Sequence, residues 1–285
     1  MDRFFLISFV VCAALGIVIR LALPRILAWR GVWFTWHTRF GPALVFDSAD
    51  EDGTTVRLLN VRGTYQSVCY VDDDLLWVPV CAYHRTWASA VQDAFGKGRD
   101  ATAASRRALV MGGGGYSFPK WLVAYRPDVT CTAVEIDPAI TRIAREQFFV
   151  DRLCEEFSTA STGRLELVND DAWRVLQADE RGYDLIINDA FSGNRPLGAM
   201  ETTEGAKVVQ AHLRPGGLYI GNVRTPLEGP GSRVLHETQE AFSHVFAHVE
   251  VIPERPEETR KRGNNTLLAW NTRNAKGATH GTKHH

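Results

Sequence analysis

The sequence predicts an α/β fold: a seven-stranded, mostly parallel sheet with helices on both faces, preceded by a small N-terminal β-unit and an N-terminal membrane helix. Three observations carry this. From Arg107 onward, short apolar runs alternate with amphipathic stretches, the pattern of strand–helix–strand crossovers. Four successive glycines, Gly112 to Gly115, directly follow the first of those runs, where a chain turns sharply from strand into helix. Phe4 to Ile19 is an unbroken run of apolar or small residues.

That N-terminal run of 16 residues rises roughly 24 Å as a helix, slightly short of a ~30 Å hydrocarbon core. Counting through Leu23, with the Arg20 side chain reaching back to the interface, makes a span feasible. Two rivals remain. A cleaved signal peptide wants a basic start and a small-x-small cleavage site, whereas this run ends in Arg20. A buried core helix is the other. Arg20, Arg25 and Arg30 follow the run and only Arg3 precedes it, so a single-pass span leaves the main domain in the cytoplasm. Trp29, Trp33, Phe34 and Trp36 suit either a membrane–water interface or an apolar plug under the domain.

The elements follow in order. Asp47 to Gly53 reads as a turn, and Val56–Leu59, Gln66–Val71 and Leu75–Val80 as short strands, with Asp72, Asp73 and Asp74 as a hairpin tip. Tyr83 to Phe95 reads as a helix with Trp87, Ala90, Val91 and Ala94 on one face. GKGRDATAASRR is a polar linker. Strands are then expected at 108–111, 129–135, 165–169, 184–188, 218–223, 248–252 and 266–270, and helices at 118–125, 139–149, 172–177, 204–213 and 234–246. The last two strands have no helix between them, so one edge strand should run antiparallel. The resulting division is an anchor over 1–30, the β-unit and its helix over 40–95, the main domain over 106–271, and a polar tail over 272–285 expected to be disordered.

Composition narrows the function. A net charge of −1 gives no bulk attraction to nucleic acid. Cys12, Cys69, Cys81, Cys131 and Cys154 form no Cys-x-x-Cys pair and fit no zinc site, so they read as reduced thiols and no metal is expected.

The chemistry-bearing residues sit at strand ends. Gly112, Gly113 and Gly114 open the glycine turn, where backbone can approach a ligand and a helix N-terminus offers N–H groups. Glu135 closes the next strand, where an acid can accept both ribose hydroxyls. Asp137 reads as the N-cap of the following helix. Asp170 and Asp171 precede Ala172 at the third strand end. A carboxylate there can accept from an adenine amino group, which favours ligands of the S-adenosylmethionine kind over dinucleotides, and one of the pair reads as a helix cap. Asp189 ends the fourth strand, where it faces the reacting end of a bound nucleoside and can serve as a general base or hold a cationic amine.

Together MGGGGYSFPKW, AVEIDP, VNDDAW, YDLIINDAFS and LRPGGLYIGNV, with GTYQS and AYHRTW upstream, resemble the spermidine synthase family, the polyamine aminopropyltransferases, from about Tyr65 to Trp270. The resemblance implies the sheet of the S-adenosylmethionine-dependent methyltransferase type. It implies Gln66, the glycines from Gly112, Glu135, Ile136, Asp171 and Ala172 as nucleoside-binding residues, Asp189 as the base that deprotonates the attacking amine, and Tyr65, Tyr83 and His84 on the substrate side. His84 serves either as a ligand contact or as a satisfied interface histidine. It further implies a transferase of polyamine biosynthesis that moves an aminopropyl group from decarboxylated S-adenosylmethionine to an amine or other small nucleophile, and it allows a homodimer.

The departures fall on one side. The family's glycine loop ends in an Asp, here Gly115; the second Asp of its Asp-Ser-Ser-Asp motif is Ser192; the acidic pair ahead of its Tyr-His is Pro79-Val80. Burying a diamine dication without such partners costs several kcal/mol, so putrescine is expected to be a poor acceptor. Asp72 to Asp74 could substitute, but a solvated tip is the preferred reading. Methyl transfer from S-adenosylmethionine itself, and non-catalytic nucleoside binding at a membrane, stand as alternative functions.

Overall fold

The computed structural model describes residues 3–98, 105–192 and 195–271. The chain opens with helix α1 (Arg3–Trp29), long and apolar enough to cross a membrane over Val11–Trp29, with none of that stretch buried against the rest of the chain. A core helix is thereby excluded. Its C-terminal end leads into an antiparallel meander of β1 (Trp33–Thr38), β2 (Gly41–Ala49), β3 (Thr55–Val61) and β4 (Thr64–Tyr70), paired in sequence order.

This meander departs from the sequence expectation at both ends. The aromatic stretch is strand β1, with Trp33 opposite Val45, and the stretch read as a turn from Asp47 belongs partly to β2. Leu75 to Val80 forms no strand, so Asp72 to Asp74 is not a hairpin tip but an exposed turn, in which Asp72 Oδ1 accepts from the Asp74 N–H at 2.9 Å. Short apolar runs next to turn residues do not by themselves tell a strand from a coil that packs on the core; Leu76, only 2% exposed, does the latter.

After α2 (Ala82–Phe95) the main domain alternates β5 (Arg106–Met111), α3 (Ser117–Tyr125), β6 (Val129–Val134), α4 (Pro138–Gln147), α5 (Val150–Glu156), α6 (Thr159–Thr162), β7 (Leu165–Val168), α7 (Ala172–Ala178) and β8 (Tyr183–Asn188). A two-stranded ribbon of β9 (Phe191–Ser192) and β10 (Arg195–Pro196) follows, then α8 (Thr203–His212), β11 (Leu213–Thr225), α9 (Arg233–Ser243), β12 (His248–Ile252) and β13 (Gly263–Trp270). The helix read over 139–149 ends at Gln147, because Phe149 takes a left-handed conformation with φ 62° and α5 starts anew. The polar tail from residue 272 and the linker centre at 99–104 lie outside the described residues.

The sheet order is β12-β13-β11-β8-β5-β6-β7. Pairings from β11 across to β7 are parallel. The antiparallel strand is β13, and it is internal rather than at the edge: it pairs antiparallel with β11 on one side and β12 on the other. The α9 crossover carries β12 out to the edge, and the helix-free return then inserts β13 into the gap. Alternate strand residues fill two cores. Ala108, Val110, Leu185, Ile187 and Ile220 pack with Trp87, Phe118 and Ile143 on one face. Leu109, Met111, Ile186, Tyr219 and Leu267 pack with Leu176, Val209 and Phe242 on the other. Burial on both faces explains why these strands read as continuous apolar runs.

Candidate active site

A cavity of about 1210 Å³ opens where the meander and α2 meet the C-terminal ends of the parallel strands, the place an open α/β sheet binds its ligands. Gln66, Gly112, Gly113, Gly114, Glu135, Ile136, Asp171, Ala172, Asp189, Tyr83 and His84 all line it. Tyr65 does not. It is 64% exposed and sits beside Phe46, ring centroids 6.5 Å apart. The β3–β4 register shifts here, with Asn60 opposite Tyr65 and Leu59 opposite Ser67, so Gln66 falls in the irregularity between them; Thr64, Gln66, Ser67 and Val68 line the cavity and Tyr65 does not, and the substrate contact expected of Tyr65 is corrected accordingly.

At the nucleoside end, Gly112 has φ +99° and leaves no room for a side chain, since a Cβ would lie 2.7 Å from the Asp189 carbonyl oxygen. The turn therefore brings the first and fourth strand ends into direct contact. Glu135 is 8% exposed. Its Oε2 accepts from the Gly113 and Gly114 N–H groups at 3.1 and 2.9 Å, and its Oε1 from the Asp137 N–H at 3.0 Å. Burial pushes its pKa up against those three hydrogen bonds. A carboxylate has about four acceptor sites, so Oε1 keeps capacity for a ribose hydroxyl. Asp171 caps α7 through Oδ1, which accepts from the Trp173 and Arg174 N–H groups, and its Oδ2 has no partner among the described residues. Asp170 pairs instead with Arg174. Asp137 is the N-cap of α4 as expected, and its other oxygen accepts from the Arg39 N–H, which pins the β1–β2 turn over the cavity. Ser67 and Ser117, which no sequence pattern singles out, tie β4 to the glycine turn: their hydroxyls lie 3.2 Å apart and Ser117 Oγ donates to the Val68 carbonyl at 2.9 Å.

The opposite end is assembled from separate segments. Asp189 Oδ1 accepts from Asn222 Nδ2 at 2.8 Å, and Oδ2 faces His84 Nε2 at 3.6 Å. Asn222, on β11, and Asn264, on β13, were not predicted as site residues, although Asn222 lies within the LRPGGLYIGNV motif. His84 is 6% exposed, and its Nδ1 and the Oδ1 of Asn222 are buried without hydrogen-bond partners among the described residues. Burial and the charges of Asp189 and Glu254 push the Cys81 thiol up to about 12, so it is a protonated, unreactive group. Burial, then Asp189, hold the Tyr83 phenol well above its ordinary value, a hydroxyl donor at any working pH.

The missing carboxylates have structural counterparts. A Cβ at Gly115 would lie 2.4 Å from Ser67 Oγ and 2.9 Å from Phe148 Cδ1, so the family's acid has no space there. The Pro79 and Val80 carbonyls receive Arg85 Nη1. Asp73 pairs with Arg152 on the surface at 2.7 Å, and none of Asp72 to Asp74 reaches the cavity.

Residues 95–259 match the spermine/spermidine synthase domain. The chain belongs to that family. A curated relative, the "probable polyamine aminopropyl transferase" of Bifidobacterium longum, is 34% identical over 142 residues, 50% of this chain and 28% of the relative. The match thus spans under a third of that relative's length. Among solved structures, a probable spermidine synthase from Corynebacterium glutamicum superposes with a TM-score of 0.67 at 24% identity, over 84% of this chain and 80% of the other. A spermidine synthase in complex with the transition-state analogue AdoDATO gives 0.57 at 16% identity, over 85% and 74%. At these identities the structural likeness establishes the fold.

Proposed function

We propose that the chain transfers an aminopropyl group from decarboxylated S-adenosylmethionine to an amine, with Asp189 as the base. The observation that carries this reading is the Asp189 carboxylate, held by Asn222 at the cavity wall between the glycine turn and Tyr83–His84. Ribose hydroxyls fall to Glu135 and Gln66, the adenine amino group to Asp171, and the adenine faces to Ile136 and Ala172. That orientation directs the sulfonium toward Asp189. Asp189 takes a proton from the acceptor ammonium and frees its lone pair. The nitrogen attacks the aminopropyl carbon bonded to sulfur; the N–C bond forms, the C–S bond breaks, and its electrons return to sulfur, leaving neutral methylthioadenosine.

Methyl transfer from S-adenosylmethionine is the second reading, favoured by the absence of an acid at Gly115. Mass spectrometry of the nucleoside product separates the two: methylthioadenosine supports aminopropyl transfer, S-adenosylhomocysteine supports methyl transfer. Formation of neither with any amine or donor would leave nucleoside binding alone.

Helix α1 is proposed as a single-pass anchor that leaves the domain in the cytoplasm. Full-length protein should then stay with membranes through a carbonate wash, while a chain starting at Gly41 should be soluble. A mature N-terminus beyond Leu15 would instead mark a signal peptide.

A further inference from the structure

Helix α1 is free along one half and packed along the other. Every residue from Val11 to Arg20 is exposed, whereas Ala22, Leu23, Pro24 and Leu27 are half-buried. The difference comes from β1, which runs back beside the helix after the turn at Arg30 and Gly31. Trp36 Nε1 donates to the Arg20 carbonyl at 3.4 Å, well before the helix ends at Trp29. The meander thus lies against the point where the unbroken apolar run from Phe4 to Ile19 stops. With that run in a bilayer, the meander meets the headgroup layer.

Two turns of the meander carry groups suited to that layer. The β1–β2 turn, further along the strand that has just passed Arg20, presents Arg39 and Phe40, the latter 50% exposed. The β3–β4 turn presents Arg62 beside it: the Arg62 N–H donates to the Pro42 carbonyl at 2.9 Å, and a Cβ at Gly41 would lie 3.5 Å from Arg62 Cδ. Both arginines are exposed, and neither guanidinium has a hydrogen bond or ion pair among the described residues. The carboxylate next to them, Asp137, is buried and already accepts from the Arg39 and Ala139 N–H groups. From Arg3 through Phe46 the sequence holds five arginines and no Asp or Glu, in a chain whose net charge is −1. Unpaired arginines around an exposed aromatic ring, beside an apolar helix, match a surface of anionic headgroups in both charge and apolar depth. The same turns contribute Arg39, Phe40, Gly41 and Arg62 to the wall of the active-site cavity.

We propose that the β1–β2 and β3–β4 turns dock on the anionic surface of the bilayer that holds α1, through Arg39, Phe40 and Arg62, so that the cavity opens at the lipid surface. A single helix leaves the domain free to tilt; a second attachment at the turns fixes which face meets the lipid. The inference rests on the anchor reading of α1.

The test uses full-length protein reconstituted into vesicles of phosphatidylcholine, with or without phosphatidylglycerol, that carry a nitroxide quencher near the top of the acyl chains. Cys12, which is exposed, is replaced by Ser. A fluorophore is attached at Phe40→Cys or, as a control, at Asp73→Cys, beyond the far end of β4 from its turn. The label at position 40 should be quenched about threefold more strongly in anionic than in neutral vesicles, and raised salt should erase the difference. The label at position 73 should be quenched in neither. Arg39→Gln/Arg62→Gln should bring the anionic signal at position 40 down to the neutral one, with an unchanged circular dichroism spectrum. Quenching at position 40 no greater than at position 73, or indifferent to phosphatidylglycerol and to both arginines, overturns the proposal. A carbonate wash of the same vesicles reads the anchor separately. Retention without quenching keeps the anchor and removes the docking face. Release by the wash, with charge-dependent quenching before it, removes the anchor and leaves the turns as a peripheral lipid-binding face.

Discussion

The two ends of the cavity are built by different means. At the nucleoside end, each group sits one to three residues past a parallel strand and is held by strand-to-helix turns: Glu135 by Asp137 and by Gly113 and Gly114 of the adjacent turn, Asp171 by its own helix α7. At the acceptor end, Asp189 is held by Asn222 from β11, which reaches Asn264 from β13 and through it Glu254. The first end is fixed by local strand-to-helix turns. The second exists only once β13 has taken its place in the sheet. A site whose halves have such different origins can keep one ligand half while the other is rewritten, and the side chains changed from the family pattern, Pro79, Val80, Gly115 and Ser192, are the ones expected to hold amines.

The sharpest way to break this division is Asp189→Asn. If the acceptor end carries the chemistry and the nucleoside end the binding, turnover should fall by ~10²-fold or more, while methylthioadenosine affinity measured by calorimetry stays within about threefold of wild type. A parallel loss of both would mean that Asp189 belongs to the nucleoside end.

Glu135→Ala is the converse. It should weaken methylthioadenosine binding by ~1.5–3 kcal/mol, the range for a charged hydrogen-bond partner. Because the Gly113 and Gly114 N–H groups lose their acceptor too, part of that loss is reorganisation of the turn. Glu135→Gln, which can still accept from them, separates the two contributions. Wild-type affinity in Glu135→Ala with an intact circular dichroism spectrum would remove Glu135 from the ligand contacts.

The same division explains what could be read from the sequence. The seven strands, the glycine turn, and the positions of Glu135, Asp171 and Asp189 are local patterns: an apolar run, then glycine or acid, then a helix. Each survives into the fold because the parallel sheet buries both faces. Asn222, Asn264 and Glu254 carry no such signature. Their proximity depends on the internal placement of β13, whereas a strand following β12 without a helix reads as an edge. Tyr65 lies outside the cavity although Gln66 lines it, at an irregularity in the β3–β4 register that the sequence does not mark. Strands β1 and β2 went unread because aromatic residues beside an apolar helix also suit a membrane interface.

Gly115→Asp restores the family's acid at the boundary between the ends. The space is filled by Ser67 Oγ and Phe148, and overpacking of this kind costs typically 1–3 kcal/mol. Urea unfolding should show a loss in that range, with part of it recovered in Ser67→Gly/Gly115→Asp. If the single variant is as stable as wild type and binds the decarboxylated donor more tightly, the turn accommodates the acid and Gly115 is not excluded by packing.

The smallest expected effect concerns Asp72, Asp73 and Asp74, the acids that sequence alone leaves as substitutes for the missing pair. Their turn is exposed and lies outside the cavity. Asp73 engages Arg152 with side chains 76% and 46% exposed, a pair of the kind that contributes ~0–1 kcal/mol, and Asp72 holds only the Asp74 N–H. Replacing all three by Asn preserves the short polar side chains that such turns favour while removing three negative charges. Stability should change by less than ~1 kcal/mol, and the KM for putrescine should stay within about twofold of wild type at physiological salt, where charges more than ~8 Å apart are largely screened. A tenfold rise in that KM would bring this turn into the acceptor end, which would then draw on the segment after the N-terminal meander as well as on Asp189 and Asn222.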